Sequence, residues 1–165
     1  MTYYGFRHWG SPEFEKALAL SIQDTYAFRE WTSEELNLPA EYEDIHLDLV
    51  EEVSVSYEQE ADVRRLPDSK RLVSIEAHLV CNFDVFIYKP DYIFVEDDPR
   101  LSIVNPYWNK RYMRGEITLR LRSEIMLVLD ISDSEWRRLE VLSVTPVFAD
   151  DDRFEMTSRR RRFRR

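Results

Sequence analysis

Few residues in this chain have the means for chemistry near neutral pH. They are one cysteine, Cys81, and three histidines, His8, His46 and His78. His46 and His78, taken with Asp48, Glu52 and Asp84, have the ligand types of a metal site. They fall on alternate positions of extended segments, however, and a flat strand face spreads such groups apart. Solvated cross-strand pairs are therefore expected, and no metal is assigned. Cys81 falls in an apolar row, where a thiol is a small buried hydrophobe rather than a nucleophile. His8 stands among Tyr3, Tyr4, Phe6 and Trp9, a packing environment. No motif pairs two of the carboxylates in a cleft, and with three glycines there is no phosphate-cradling loop. The expectation is a non-enzymatic protein without a cofactor.

Binding chemistry is better represented. Residues 88–115 connect two long apolar rows and are rich in aromatics and in both charge signs. Tyr92, Tyr107, Trp108, Lys110, Arg111 and Tyr112 are the candidate contact residues there. Rings beside Lys110, Arg111 and Arg114 suit base stacking and phosphate contact as well as a protein partner. The alternative is that the rings roll inward and close one end of the core. Tyr92 to Val95 reads as a strand-like continuation beyond Pro90.

Charge adds a second candidate. The chain has 165 residues, with 23 basic and 32 acidic side chains and a net charge of −9. Residues 159–165 hold six arginines: Arg159, Arg160, Arg161, Arg162, Arg164 and Arg165. The remainder then has 17 basic against 32 acidic residues, a net of −15. An acidic body repels nucleic acid, whereas an arginine run attracts phosphate backbones. Residues 1–148 read as one α+β domain and 149–165 as a tail, acidic at Asp150–Asp152 and then arginine-rich. A single cysteine excludes an internal disulfide framework and favours a reducing, cytoplasmic compartment. No apolar stretch approaches the roughly 20 residues of a membrane helix, so no membrane association is expected.

The elements that must position these residues follow from periodicity. Ser11-Pro12-Glu13 is a helix start, and Phe14, Ala17, Leu18, Ile22 and Tyr26 recur at helical spacing, which predicts a helix from about 12 to 30. The capping box Thr32-Ser33-Glu34-Glu35 predicts a short second helix ending near Pro39. Four strands follow. The first has Ile45, Leu47, Leu49, Val53, Val55 and Tyr57 on its apolar face, with a bulge or edge at Val50-Glu51. The second has Val73, Ile75, Ala77, Leu79, Cys81, Phe83, Val85 and Ile87. The third runs from Ile117 to Ile131. After a turn at Ser132–Glu135, the fourth runs from about 136 to 147 with Leu139 and Val141 inward. The expected fold is an N-terminal helix and a short second helix packed on a curved four-stranded antiparallel meander. In the expected register Val55 faces Ile75 and Val85 faces Leu119. Its outer face would then carry Val80, Met126, Val128, Leu142 and Val144, more apolar than a solvated face requires and a second candidate contact surface.

Phe83-Asp84-Val85-Phe86-Ile87-Tyr88-Lys89, Tyr92, Glu96-Asp97, Asn105-Pro106-Tyr107-Trp108-Asn109 and Tyr112, with the alternating strand after it, resemble the β-rich C-terminal region of some bacterial PIN-like nucleases. The resemblance covers residues 83–130 and no catalytic motif. It implies an accessory or interaction module, since the metal-binding nuclease domain has no counterpart here. The reading is thus a module that binds a protein partner, a second copy of itself included. The alternative is a nucleic-acid-associated protein using the arginine tail and the 88–115 connection.

Overall fold

The computed structural model describes residues 11–56, 62–132 and 135–148. The Phe14 N–H donates to Ser11 Oγ at 3.2 Å, Pro12 follows the cap, and Glu13 and Glu15 occupy the first turn of helix α1 (Pro12–Tyr26). The helix stops short of the expected residue 30. Glu30–Trp31 is already a strand, β1, which pairs Glu30 with His46 and Trp31 with Ile45. The expected second helix is a turn. Its capping box does form: the Glu35 N–H donates to Thr32 Oγ1 at 3.1 Å, and the Thr32 N–H donates to the Glu35 carboxylate at 2.9 Å. Asn37 then adopts a left-handed φ of 52°, and Pro39 follows, so propagation ends within one turn.

The expected four-stranded sheet is corrected to seven antiparallel strands, with the broad α+β class retained. After β1 come β2 (Glu43–Val55), β3 (Asp62–Arg65), β4 (Lys70–Tyr88), β5 (Leu101–Asn105), β6 (Tyr112–Ser132) and β7 (Glu135–Pro146). The strands missed by periodicity are β1, β3 and β5. They have two, four and five residues, too few for alternation to stand out. β4 and β6 form a ribbon paired from Lys70↔Asp130 to Tyr88↔Tyr112. β2 and β3 share one edge of β4, while β5 and β7 share the opposite edge of β6. Each half of the ribbon is therefore flanked by a different pair of strands.

The register also differs from expectation. Val55 faces Ala77, and Val85 faces Gly115. Both shifts are even-numbered, so the inner and outer faces of the ribbon survive them. β2 carries one extra residue at each of three places, between Glu43 and His46, Leu47 and Leu49, and Val50 and Glu52. The irregularity suspected at Val50-Glu51 is thus real. The bulge just before it, between Leu47 and Leu49, turns Val50 inward and leaves Leu49 outward, 42% exposed, and the one after Val50 passes the inward direction to Val53. A bulge at Leu142 in β7 likewise reverses parity, so Val144, expected outside, is buried with Val141, and Leu139 is half-buried.

The inner face carries Val73, Ile75, Ala77, Leu79, Cys81, Phe83, Val85 and Ile87 of β4 and Ile117, Leu119, Leu121, Ile125, Leu127 and Leu129 of β6. All are buried. Phe14, Leu18, Ile22 and Tyr26 of α1 join the same core. The helix packs against both β2 and β7, which lie on opposite sides of the ribbon, so the sheet curls around it. It also closes their edges. Outward N–H groups of β2 donate to α1 side chains, Val50 to Gln23 Oε1 at 3.3 Å and Val55 to Glu15 Oε1 at 3.5 Å. Those of β7 do the same, Val141 to Ser21 Oγ at 3.2 Å and Val144 to the Tyr26 hydroxyl at 2.6 Å. Polar side chains of the helix stand where a neighbouring strand's carbonyls would be. No helix among the described residues is long and apolar enough to cross a membrane.

A candidate contact surface at the aromatic end of the sheet

The outer face of the β4–β6 ribbon changes character along its length. One end pairs Leu72 with Val128 and Ser74 with Met126. The middle is polar. Arg122 makes a two-point ion pair with Glu76 at 2.6 and 3.1 Å, and Thr118 donates to Asn82 at 2.6 Å. The Arg122 bond holds the Glu76 carboxyl below its ordinary range. The other end pairs Phe86 with Arg114 and Tyr88 with Tyr112.

That last end builds an aromatic cluster. Tyr88 and Tyr112 have ring centroids 5.6 Å apart, and Phe86 lies 5.5 Å from Trp108. The Arg114 guanidinium sits 5.8 Å from the Trp108 ring and pairs with Asp84 at 3.1 Å. Lys89 Nζ lies 6.0 Å from the Tyr107 ring. The turn that presents Tyr107 and Trp108 is fixed by two asparagines, whose short side chains bond the backbone just ahead. Asn105 Oδ1 accepts from the Tyr107 N–H at 2.9 Å, and Asn109 Oδ1 accepts from the Arg111 and Tyr112 N–H groups, both at 2.8 Å. Tyr107 is 86% exposed and Trp108 49% exposed. The Tyr112 phenol titrates above its usual value, chiefly because it hydrogen-bonds the Glu43 carboxylate.

The connection between the long strands is thus built rather than loose. Lys89–Phe94 is a 3-10 helix with Pro90 in its first turn, where a strand-like segment was expected. Val95 is buried, and β5 then pairs with β6. Gly115 permits that pairing: a Cβ there would lie 3.1 Å from both Leu101 Cδ1 and the Ser102 carbonyl oxygen.

The structure sorts the candidate residues. Tyr107, Trp108, Lys110, Arg111 and Tyr112 share the β5–β6 turn and the strand end beside it. Tyr92 instead packs against the core. Met126 and Val128 share the opposite end of the outer face, near Leu142 on β7. Val80 stands apart from them, between Glu52 and Arg120, so the expected apolar patch is not continuous. Phe86, Tyr88 and Glu43 belong to the aromatic cluster and were missed. The even-numbered row that carries Asn82 and Asp84 outward predicts Phe86 and Tyr88 with them. Arg159, Arg160, Arg161, Arg162, Arg164 and Arg165 lie outside the described residues, as do His8, Tyr57, Asp133 and Ser134. Among the described residues no three His, Cys, Asp or Glu side chains converge as metal ligands would. Cys81 is buried, and burial pushes its thiol up to about 12. Among known proteins, no family model, curated protein or solved structure matches the chain.

Proposed function

We propose that this chain is a cytoplasmic, non-enzymatic interaction module that binds a protein partner through the aromatic end of its sheet. One observation carries the reading: Tyr107 and Trp108 are exposed on a turn pinned by Asn105 and Asn109. Large rings held in place lose little conformational freedom on binding and dominate interface energetics. The accessory role implied by the resemblance of residues 83–130 points the same way, and the buried free thiol of Cys81 suits a reducing compartment.

Lys89, Lys110 and Arg111 beside these rings favour a nucleic-acid reading as the alternative, with the arginine tail as a second contact. Its weakness is charge balance. From residue 88 to 115 five basic side chains stand against four acidic ones, a net charge of only +1, which gives little attraction for phosphate. The test compares captured proteins and nucleic acids for the wild-type chain and Trp108→Ala. Loss of one specific protein with an unchanged melting temperature supports the reading. A collapse of the melting temperature makes Trp108 a packing residue. Tight binding to duplex or single-stranded nucleic acid after deletion of residues 159–165 favours the alternative.

A further inference from the structure

Among the described residues the sheet has several edges, and all but one are covered or charged. α1 takes outward N–H groups of β2 and of the second half of β7. β1 covers the start of β2. The first half of β7 carries Glu135, Arg137, Arg138 and Glu140, and β3 carries Arg64 and Arg65. Charges on an edge strand, or an element laid over it, prevent pairing with another chain. β5, with the sequence Leu-Ser-Ile-Val-Asn, has no charge and no proline, and among the described elements it packs chiefly on β6.

The pairing pattern shows which groups point outward. The Thr118 N–H donates to the Arg100 carbonyl, so Arg100↔Thr118 is a hydrogen-bonded pair and so, two residues on, is Ser102↔Glu116. Leu101 and Ile103 alternate with them and direct their backbone groups away from β6. The Leu101 N–H is taken by the Asp98 carbonyl. The Leu101 carbonyl and both backbone groups of Ile103 face the open edge. Val104, 48% exposed, forms the bulge beyond them.

The two ends of this edge carry opposite charge. Glu96, Asp97 and Asp98 precede β5, with Arg100 paired to Asp98 at 2.8 Å. Lys110 and Arg111 follow it in the turn to β6. Such an edge complements a copy of itself laid antiparallel. In a two-fold pairing centred on Ile103, each copy's acidic turn lies beside the other's basic turn, and the two Ile103 residues exchange their backbone hydrogen bonds. We propose that the protein self-associates by antiparallel pairing of β5 with β5 of a second copy. The paired segment is short because the Val104 bulge ends it, so the dimer is weak and concentration-dependent. This inference does not depend on a partner at the aromatic cluster.

The test is sedimentation of the purified full chain over roughly 1 μM to 1 mM, where weak dimers populate. The wild type should pass from 19.9 kDa towards twice that mass. Val104→Lys, the pair Lys110→Glu with Arg111→Glu, and the pair Glu96→Lys with Asp97→Lys should each weaken association about tenfold or more. Mixing the two charge-reversed proteins should restore association as a heterodimer. A wild type that stays monomeric throughout overturns the proposal. So does a dimer indifferent to all three changes. Circular dichroism and melting of each variant show that the fold is intact. Because no partner is present, the outcome stands apart from that of the Trp108 experiment.

Discussion

The edges that face α1 and the edge at β5 solve the same problem differently. Every strand edge presents N–H groups that water or protein must satisfy. At β2 and β7 the helix supplies the acceptors: Gln23 and Glu15 on one side, Ser21 and Tyr26 on the other. There the backbone groups are drawn into the structure, and Val50, Val55, Val141 and Val144 are all buried. At β5 the described elements supply no comparable cover, and the strand packs chiefly on β6. The contrast shows that α1 is more than a hydrophobic plug. It packs against both flanks of a curled sheet and closes their edges, and β5 lies beyond what it closes.

The largest expected effect tests the sealed side. Val144→Lys places an ammonium among buried groups at the α1–β7 contact, and an uncompensated buried charge costs about 3–5 kcal/mol. Chemical denaturation should show that loss, or no folded protein. Tyr26→Phe is milder. It keeps the ring in the core, where it lies 5.3 Å from Trp31, and removes only the oxygen that accepts from the Val144 N–H. A buried donor left without its acceptor costs about 1–3 kcal/mol. A Tyr26→Phe protein as stable as wild type would show that the bond does not close the edge.

Alkaline pH probes the interior behind the closed edges without changing a residue. Burial pushes Cys81 to about 12 from an ordinary 9.0. It pushes Tyr42 to about 12 from 10.0, with the Asp98 carboxylate adding to the rise and Arg100 opposing it. Both groups ionise earlier in the unfolded chain. Their contribution is fully present below about pH 9 and is lost as pH rises through 12, by at most about 1.4 kcal/mol per pH unit for each group. Unfolding free energies measured between pH 8 and 11 should fall, and Cys81→Ala should flatten the slope. An unchanged slope in that variant would mean that the thiol is not shielded. The Asp98 carboxyl, held low by its Arg100 hydrogen bonds, acts at the opposite limit. It stabilises above the ordinary carboxylate range and loses that contribution as pH falls through its lowered value.

The same contrast explains what was legible in the sequence. Alternation reads side-chain direction, so the inner rows of β4 and β6 and the first turn of α1 were visible residue by residue. Alternation fails wherever an extra residue enters, which is why it predicts the wrong faces for Leu49 and Val144. It is silent on strands as short as β1 and β5, whose existence depends on the partner that they meet. The Thr32–Glu35 box forms as its sequence predicts, but the helix stops within a turn at Asn37, whose backbone is left-handed just before buried Leu38. At the candidate site Tyr107 and Trp108 were legible from composition. Their support by Phe86 and Arg114 was not, because the expected β4–β6 register was displaced by four residues and placed other side chains opposite.

The smallest effect is expected on the open side. Val104→Lys changes a residue that is 48% exposed on β5, at a bulge, where the new side chain extends into water. It removes no buried acceptor and displaces no packed group, and exposed substitutions of this kind stay within about 0.5 kcal/mol. The fold should therefore tolerate at Val104 the same lysine that it rejects at Val144. Both valines lie on edge strands of one sheet, so side-chain volume is matched, and what differs is burial: Val144 packs in the core beneath α1, whereas Val104 stands exposed at a bulge. The measurement is a pair of urea titrations, carried out dilute enough that self-association does not contribute. If Val104→Lys loses as much as Val144→Lys, the β5 edge is not open, and the division between sealed and open edges falls.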